Sequence, residues 1–273
     1  MRLRKTILLI LAVGVMAGLI ALGISTRGSP AIPEPALPNP NGYDVLVTAG
    51  TNSAFFGDKI AEAPDKEQIA WAEKNQLVLE QLRRGLAMSC VTPPVLDSFK
   101  NPNRHLKETS LLSQAGRLFA AEGRRLEQSG RPAQAAESYL DAIRLASAVM
   151  HGASLLHGWA GLTSDALGAE RLGPLKPRLR AEECRRVAGE LNRLSHNFPP
   201  VEELLARDRE LWNRNLPLMR KIGMKIRFWV HAPGQASNEF FFRESYNAHR
   251  QTRMKLAREF ADRAIELETG SAK

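Results

Sequence analysis

No charge interrupts the chain from Ile7 to Ile24, and beyond a proline-rich stretch apolar positions recur at helical spacing almost to the C-terminus. The first pattern predicts a transmembrane helix over 6–25, because such a run reaches about 27 Å at 1.5 Å rise per residue, close to the hydrocarbon thickness of a bilayer. The second predicts an all-α domain of antiparallel helix hairpins. Ala, Leu, Glu, Arg and Gln dominate it, aromatics are few, and β-branched runs are rare outside the first segment.

The flanks orient the anchor. Arg2, Arg4 and Lys5 lie in a short tail, 1–5, and only Arg27 follows closely. That bias keeps the N-terminus in the cytoplasm and places the bulk outside, as a single-pass protein of the cytoplasmic (inner) membrane. A cleaved signal peptide is the alternative, with Ala21-Leu22-Gly23 as a small-x-small site and a secreted product. The apolar run exceeds the usual apolar core of a signal peptide, about 7–15 residues, which favours an uncleaved signal-anchor. Gly14 and Gly18 form a GxxxG step, a candidate face for a homodimer, set against the general abundance of glycine in membrane helices.

Residues 26–42 carry Pro30, Pro33, Pro35, Pro38 and Pro40 and read as a stiff linker. In the N-terminal segment 43–104, Tyr43-Asp44-Val45-Leu46-Val47 fits either a helix start or a short strand. Asp65 is expected to cap a helix with Gln68 as its reciprocal partner, and Ile69, Ala72, Leu79, Leu82 and Leu86 fall on one face. Pro93-Pro94 and Asn101-Pro102-Asn103 read as breaks.

The stretch 105–196 is the most informative. Helices are expected over 111–128 and 133–146, joined at Gly130-Arg131-Pro132, with Gly closing one and Pro opening the next. Phe119, Gly123 and Leu126, then Ala135, Tyr139 and Ala142, match the packing positions of a tetratricopeptide hairpin, with Glu122 at a usual Leu position and Ser147 where a closing Pro would stand. A second hairpin is expected from 151–172 and 178–194, degenerate or differently stacked because His157, not Gly158, is the counterpart of Gly123. Helices also follow in 197–269, one opened by Pro199-Pro200 and a last one capped by Asn238, before a polar tail, 270–273.

Four stretches carry a resemblance to a known group: Asn41-Gly42-Tyr43-Asp44, Leu82-Arg83-Arg84-Gly85-Leu86, Gly130 to Leu145, and Ala264-Ile265-Glu266-Leu267-Glu268. With the anchor and linker, the chain resembles uncharacterised membrane-anchored envelope proteins seen especially in planctomycete-type bacteria. That group has no assigned activity, so the resemblance implies architecture and compartment and no chemistry.

The net charge is +9, and Arg2, Arg4, Lys5 and Arg27 supply four of the excess cations. The rest is spread among alternating charges, which does not call for a nucleic-acid partner. Cys90 and Cys184 fit no zinc spacing, and either a disulfide or two separate buried thiols is open. His151 and His157, six apart on one helical stretch, would point about 240° apart and could not share a metal. Glu182-Glu183 beside Cys184 is not a thiol site, since Cys184 falls on an apolar stripe. No phosphate loop, HExxH, GxSxG or calcium loop occurs. No catalytic, cofactor or metal residue is therefore assigned.

One basic stretch, 218–230, alternates cations with apolar residues. Lys221, Lys225, Arg227, Phe228 and Trp229 would suit a membrane interface, against a packing helix whose lysine stems lie along apolar surface. The expected function is a protein-interaction or scaffolding module of the cell envelope, holding a protein or peptide on the face around Arg117, Glu122, Arg124 and Arg125 and the 151–161 helix. A hydrolase-type envelope enzyme and a purely structural spacer are the alternatives.

Overall fold

The computed structural model describes residues 34–53, 63–94, 102–215 and 233–270. All regular structure among them is helical, and no strand occurs. No helix among the described residues is long and apolar enough to cross a membrane. The expected anchor with Gly14 and Gly18, and the basic stretch with Lys221, Lys225, Arg227, Phe228 and Trp229, lie outside the described residues.

The helices are α1 (Gly42–Asn52), α2 (Asp65–Lys74), α3 (Gln76–Leu86), α4 (Pro102–Gln128), α5 (Pro132–Met150), α6 (Leu155–Leu175), α7 (Ala181–Asn197), α8 (Val201–Asn215) and α9 (Pro233–Gly270). The Tyr43–Val47 stretch resolves as helix. Asn41 caps it, its side chain accepting the Tyr43 N–H, and Tyr43, Leu46, Ala49 and Gly50 are buried at helical spacing. Asp65 is the first residue of α2 rather than its cap. Its carboxylate accepts from Arg124, and Gln68 turns back to the Ala63 carbonyl. The single amphipathic helix expected after Asp65 is broken at Asn75 into α2 and α3.

α4 begins nine residues before the expected 111, at Pro102, because proline at the first position of a helix gives up only an N–H that had no partner there. It ends in a Schellman closure. Arg131 N–H bonds the Leu126 carbonyl, Gly130 N–H bonds the Glu127 carbonyl, and Gly130 has a φ of 71°. α5 then returns along α4. A Cβ on Gly123 would sit 2.3 Å from the Tyr139 ring, so glycine is what lets the two helices cross there. Phe119, Leu126, Ala135, Tyr139 and Ala142 are buried around that crossing.

α5 is buried on nearly every side, as befits a helix with neighbours all round. Its Ala142, Leu145 and Val149 join a core with Tyr43, Leu46, Trp71, Leu79, Leu82 and Phe119. Its Tyr139, Leu140, Ile143, Ala146 and Met150 join a second core with Leu172, Cys184, Leu191, Phe242 and Phe260. α6 packs against both α4 and α5.

The second unit is differently stacked, one of the two arrangements left open for it. α7 packs mainly on α9 and secondarily on α5, and hardly touches α6. The physical reason lies in α9, whose buried stripe Phe242, Tyr246, Ala257, Phe260 and Ala264 fills the position that a direct partner of α6 would occupy. Cys90 and Cys184 are both free thiols, the first beside the N-terminal core and the second inside the C-terminal one.

Candidate functional site

Three helix starts converge on one buried cluster. At α1, Asn41 donates to the Val91 carbonyl and accepts from Val91 N–H, while Gly42 N–H bonds the Ser89 carbonyl. Thr92 in turn bonds the carbonyls of Val149 and His151 at the end of α5. These bonds pin the first turn of α1 against the link from α5 to α6. Gly152, with a φ of 76°, turns the chain there. His157 follows in the opening turns of α6, and Tyr43 lies against it.

The third contributor is the start of α4. His105 and Glu108 are one turn apart and so share a face. Tyr43 donates its phenolic O–H to Glu108 Oε2 at 3.1 Å, and the Tyr43 hydroxyl oxygen itself lies 3.1 Å from His157 Nε2. The phenol has one proton. Given to Glu108, it leaves the oxygen to accept from Nε2–H of His157, a tautomer whose Nδ1 keeps a bare lone pair. The His105 ring stands edge-on to His157, centroids 6.2 Å apart, with its Nδ1 4.0 Å from Glu108 Oε2. Arg104 closes the outer side by donating to Glu108 Oε1 at 2.8 Å.

Burial sets the charge state. His157 is 1% exposed, and its imidazole is pushed down to about 4 by that burial first and by His105 second, with Glu108 opposing. His105 is lowered by burial as well, and burial together with Glu108 raises the Tyr43 phenol. The histidines are thus held neutral. His105 Nδ1 and His157 Nδ1 are buried and have no hydrogen-bond partner. One ligand-type atom from each of His105, Glu108 and His157 lies within 4.8 Å of the other two.

His151 stands apart from this cluster. It ends α5 and is therefore not on the same helix as His157, as the sequence reading had it. It lines an open cleft of about 430 Å³ with Cys90, Ser147, Arg193 and Asn197. Burial pushes the Cys90 thiol up to about 12, so it is not a nucleophile in waiting.

The expected partner face is partly covered. Arg124 donates to Asp65 and to Gln68 of α2. Glu122 is buried, accepting both Arg125 at 2.7 and 2.9 Å and Gln76 of α3. Arg117 is half-buried on the same helix. The physical reason is that α2 lies over α4, with Gln76 at the start of α3 reaching Glu122, a cover that a free-standing hairpin would lack. What stays open is a cleft of about 390 Å³ beside the α4–α5 turn, lined by Gln76, Arg83, Glu122, Arg125, Arg131 and Glu137 among others.

Sequence reasoning missed Tyr43, His105 and Glu108. The readable signal was the His105-x-x-Glu108 spacing, which becomes a helix-face pair only once α4 is started at Pro102. The third partner, His157, is brought in by packing alone. The chain matches no family model, no curated protein and no solved structure.

Proposed function

We propose that the chain is a membrane-anchored scaffold of the bacterial envelope, in which a tetratricopeptide-like α4–α5 hairpin presents a charged cleft to a peptide segment of a partner protein. The cleft beside the hairpin turn carries this reading. It places Arg125 and Arg131 next to Glu122 and Glu137 on packed helices, and rigid, open, mixed-charge surfaces suit extended partners that fix their register by ion pairing. Arg131 is exposed at its mouth. The segment Ile7–Ile24 supplies the anchor, and the positive N-terminal flank places the cleft outside the cytoplasm.

The test is crosslinking of full-length protein in native membranes, wild type beside Arg131→Glu. A crosslinked partner band that weakens at least about tenfold in the variant is expected, a change of about 1.4 kcal/mol in binding. An unchanged band, or no band in the wild type, removes the reading. Protease added to spheroplasts should digest the bulk of the chain, and protection of that bulk overturns the topology.

A second reading has its own observation. Leu156, Trp159, Phe240 and Phe241 are exposed, and Trp159 stacks edge-on against Phe242 at 5.1 Å. Phe240 and Phe241 lie in the first turns of α9, a few residues along the chain from the stretch bearing Lys221, Lys225, Arg227, Phe228 and Trp229, and such exposed apolar side chains with a basic apolar stretch would suit the outer leaflet of the anchoring membrane. Flotation of the chain lacking residues 1–33 with anionic liposomes tests it. Flotation unchanged by Phe228→Ser with Trp229→Ser sinks the idea.

A further inference from the structure

We propose that His105, Glu108 and His157 form a binding site for a divalent transition metal of the zinc class, with Tyr43 as the group that orients two of the ligands. The donor set decides the class. Two imidazoles and one carboxylate suit zinc and its first-row neighbours, whereas calcium and magnesium take sets made largely of oxygens. Three protein ligands leave one position of a tetrahedral ion for water.

Two independent features support a site over a chance meeting of side chains. The first is the pair of buried, unpartnered nitrogens, His105 Nδ1 and His157 Nδ1. A buried polar atom left without a bond is costly, and a metal ion satisfies a bare imidazole nitrogen. The second is the arrangement around Tyr43. Metal-binding histidines generally have their other ring nitrogen held by a neighbour, which fixes the tautomer. His157 has that arrangement already, with Nε2 held by Tyr43 and Nδ1 free. The same phenol holds Glu108.

The distances allow closure. Ligand atoms around a tetrahedral zinc ion at about 2.0–2.1 Å are about 3.3 Å apart, and one ligand-type atom, a ring nitrogen or a carboxylate oxygen, from each of the three residues already lies within 4.8 Å of the other two. His105 and Glu108 are half-buried and sit on the first turns of α4, so modest side-chain rotation brings their atoms in. His157 is buried and held at Nε2 by Tyr43, and provides the least mobile ligand. An ion there would clamp α4 to α6 directly and α1 through Tyr43.

The test uses full-length protein in detergent, stripped with a chelator and titrated with zinc against a chromophoric competitor. One equivalent is expected to bind, and cobalt in its place should give the intense visible bands of a four-coordinate ion. His157→Ala and Glu108→Gln should each weaken zinc binding at least tenfold, and Tyr43→Phe should weaken it about tenfold or more, as loss of an orienting partner does. His196→Ala, exposed near the end of α7, should change nothing. Circular dichroism of each variant separates lost binding from lost folding, and the cobalt spectrum of the wild type needs no variant. The proposal is overturned by the absence of stoichiometric zinc in the wild type, by a cobalt spectrum like that of the aqueous ion, or by a folded His105→Ala/His157→Ala protein that binds zinc as the wild type does.

Discussion

Arg253 is a charged side chain set into an apolar stripe. It lies fully buried on α9, donating through Nη1 to Asp165 Oδ2 of α6 at 2.5 Å, with its guanidinium 3.7 Å from the centre of the Phe198 ring. His249 Nδ1 lies 3.1 Å from the same carboxylate oxygen. A buried ion pair gives little net stability, but a lone buried charge is costly. Asp165→Leu should therefore destabilise by about 3–5 kcal/mol, while Asp165→Leu with Arg253→Met should cost clearly less than the single change. Urea midpoints of the two variants check this, and a double variant worse than Asp165→Leu would show that the pair contributes more than compensation. Nothing in the spacing of α9 marked Arg253 as buried. Phe242, Tyr246, Leu256, Phe260, Ala264 and Leu267 read as one apolar stripe from spacing alone, of which Leu256 and Leu267 are only half-buried, but a long cationic side chain in that register reads as solvated until its carboxylate on another helix is known.

Among the helices, the α4–α5 hairpin was the part most legible in the chain, because its signals are local. Gly130 and Pro132 mark the turn, and small residues alternate with large ones where the helices cross. Gly123→Ala should cost about 1–3 kcal/mol through overpacking against Tyr139, and the cost should shrink when Tyr139→Leu is present, as thermal melts of the four proteins in the cycle would show. Equal costs in both backgrounds would mean that the crossing does not depend on this contact. How α6 and α7 stack stayed open for the converse reason. α7 has the amphipathic stripe Cys184, Val187, Leu191 and Leu194 that was expected, yet a stripe specifies that a face is buried and not against what. The long α9 competes for it and wins. The buried cluster of Tyr43, Glu108 and His157 belongs to the same class: each residue comes from a different helix start, so no window of sequence contains it.

Across the whole molecule, ion pairs join helices at the margins of their apolar contacts. Glu190 of α7 accepts from Arg144 of α5 and from Arg193 on its own helix. Arg193 first, and Arg144 with it, hold the Glu190 carboxyl down from 4.5 to about 2 against the opposing effect of burial. A carboxyl lowered in the folded state contributes stability that is fully present above its unfolded value and is lost as pH falls through its folded one. The difference in melting temperature between wild type and Glu190→Gln should thus be constant above about pH 5 and shrink between about pH 4.5 and pH 2. A difference that persists unchanged at pH 2 would mean that the carboxylate charge is not what joins α5 to α7.

The position of α5 decides how the molecule can be divided. Because one flank of this helix is wall to Trp71 and Leu82 and the other to Leu172 and Phe260, it acts as a party wall between two rooms. A fragment that stops at Met150 would turn Leu140, Ile143 and Ala146 out to water, and one that starts at Leu155 would have no wall at all. Neither room can be inherited, swapped or expressed without the other, which leaves the outer helices as the places where this architecture can change.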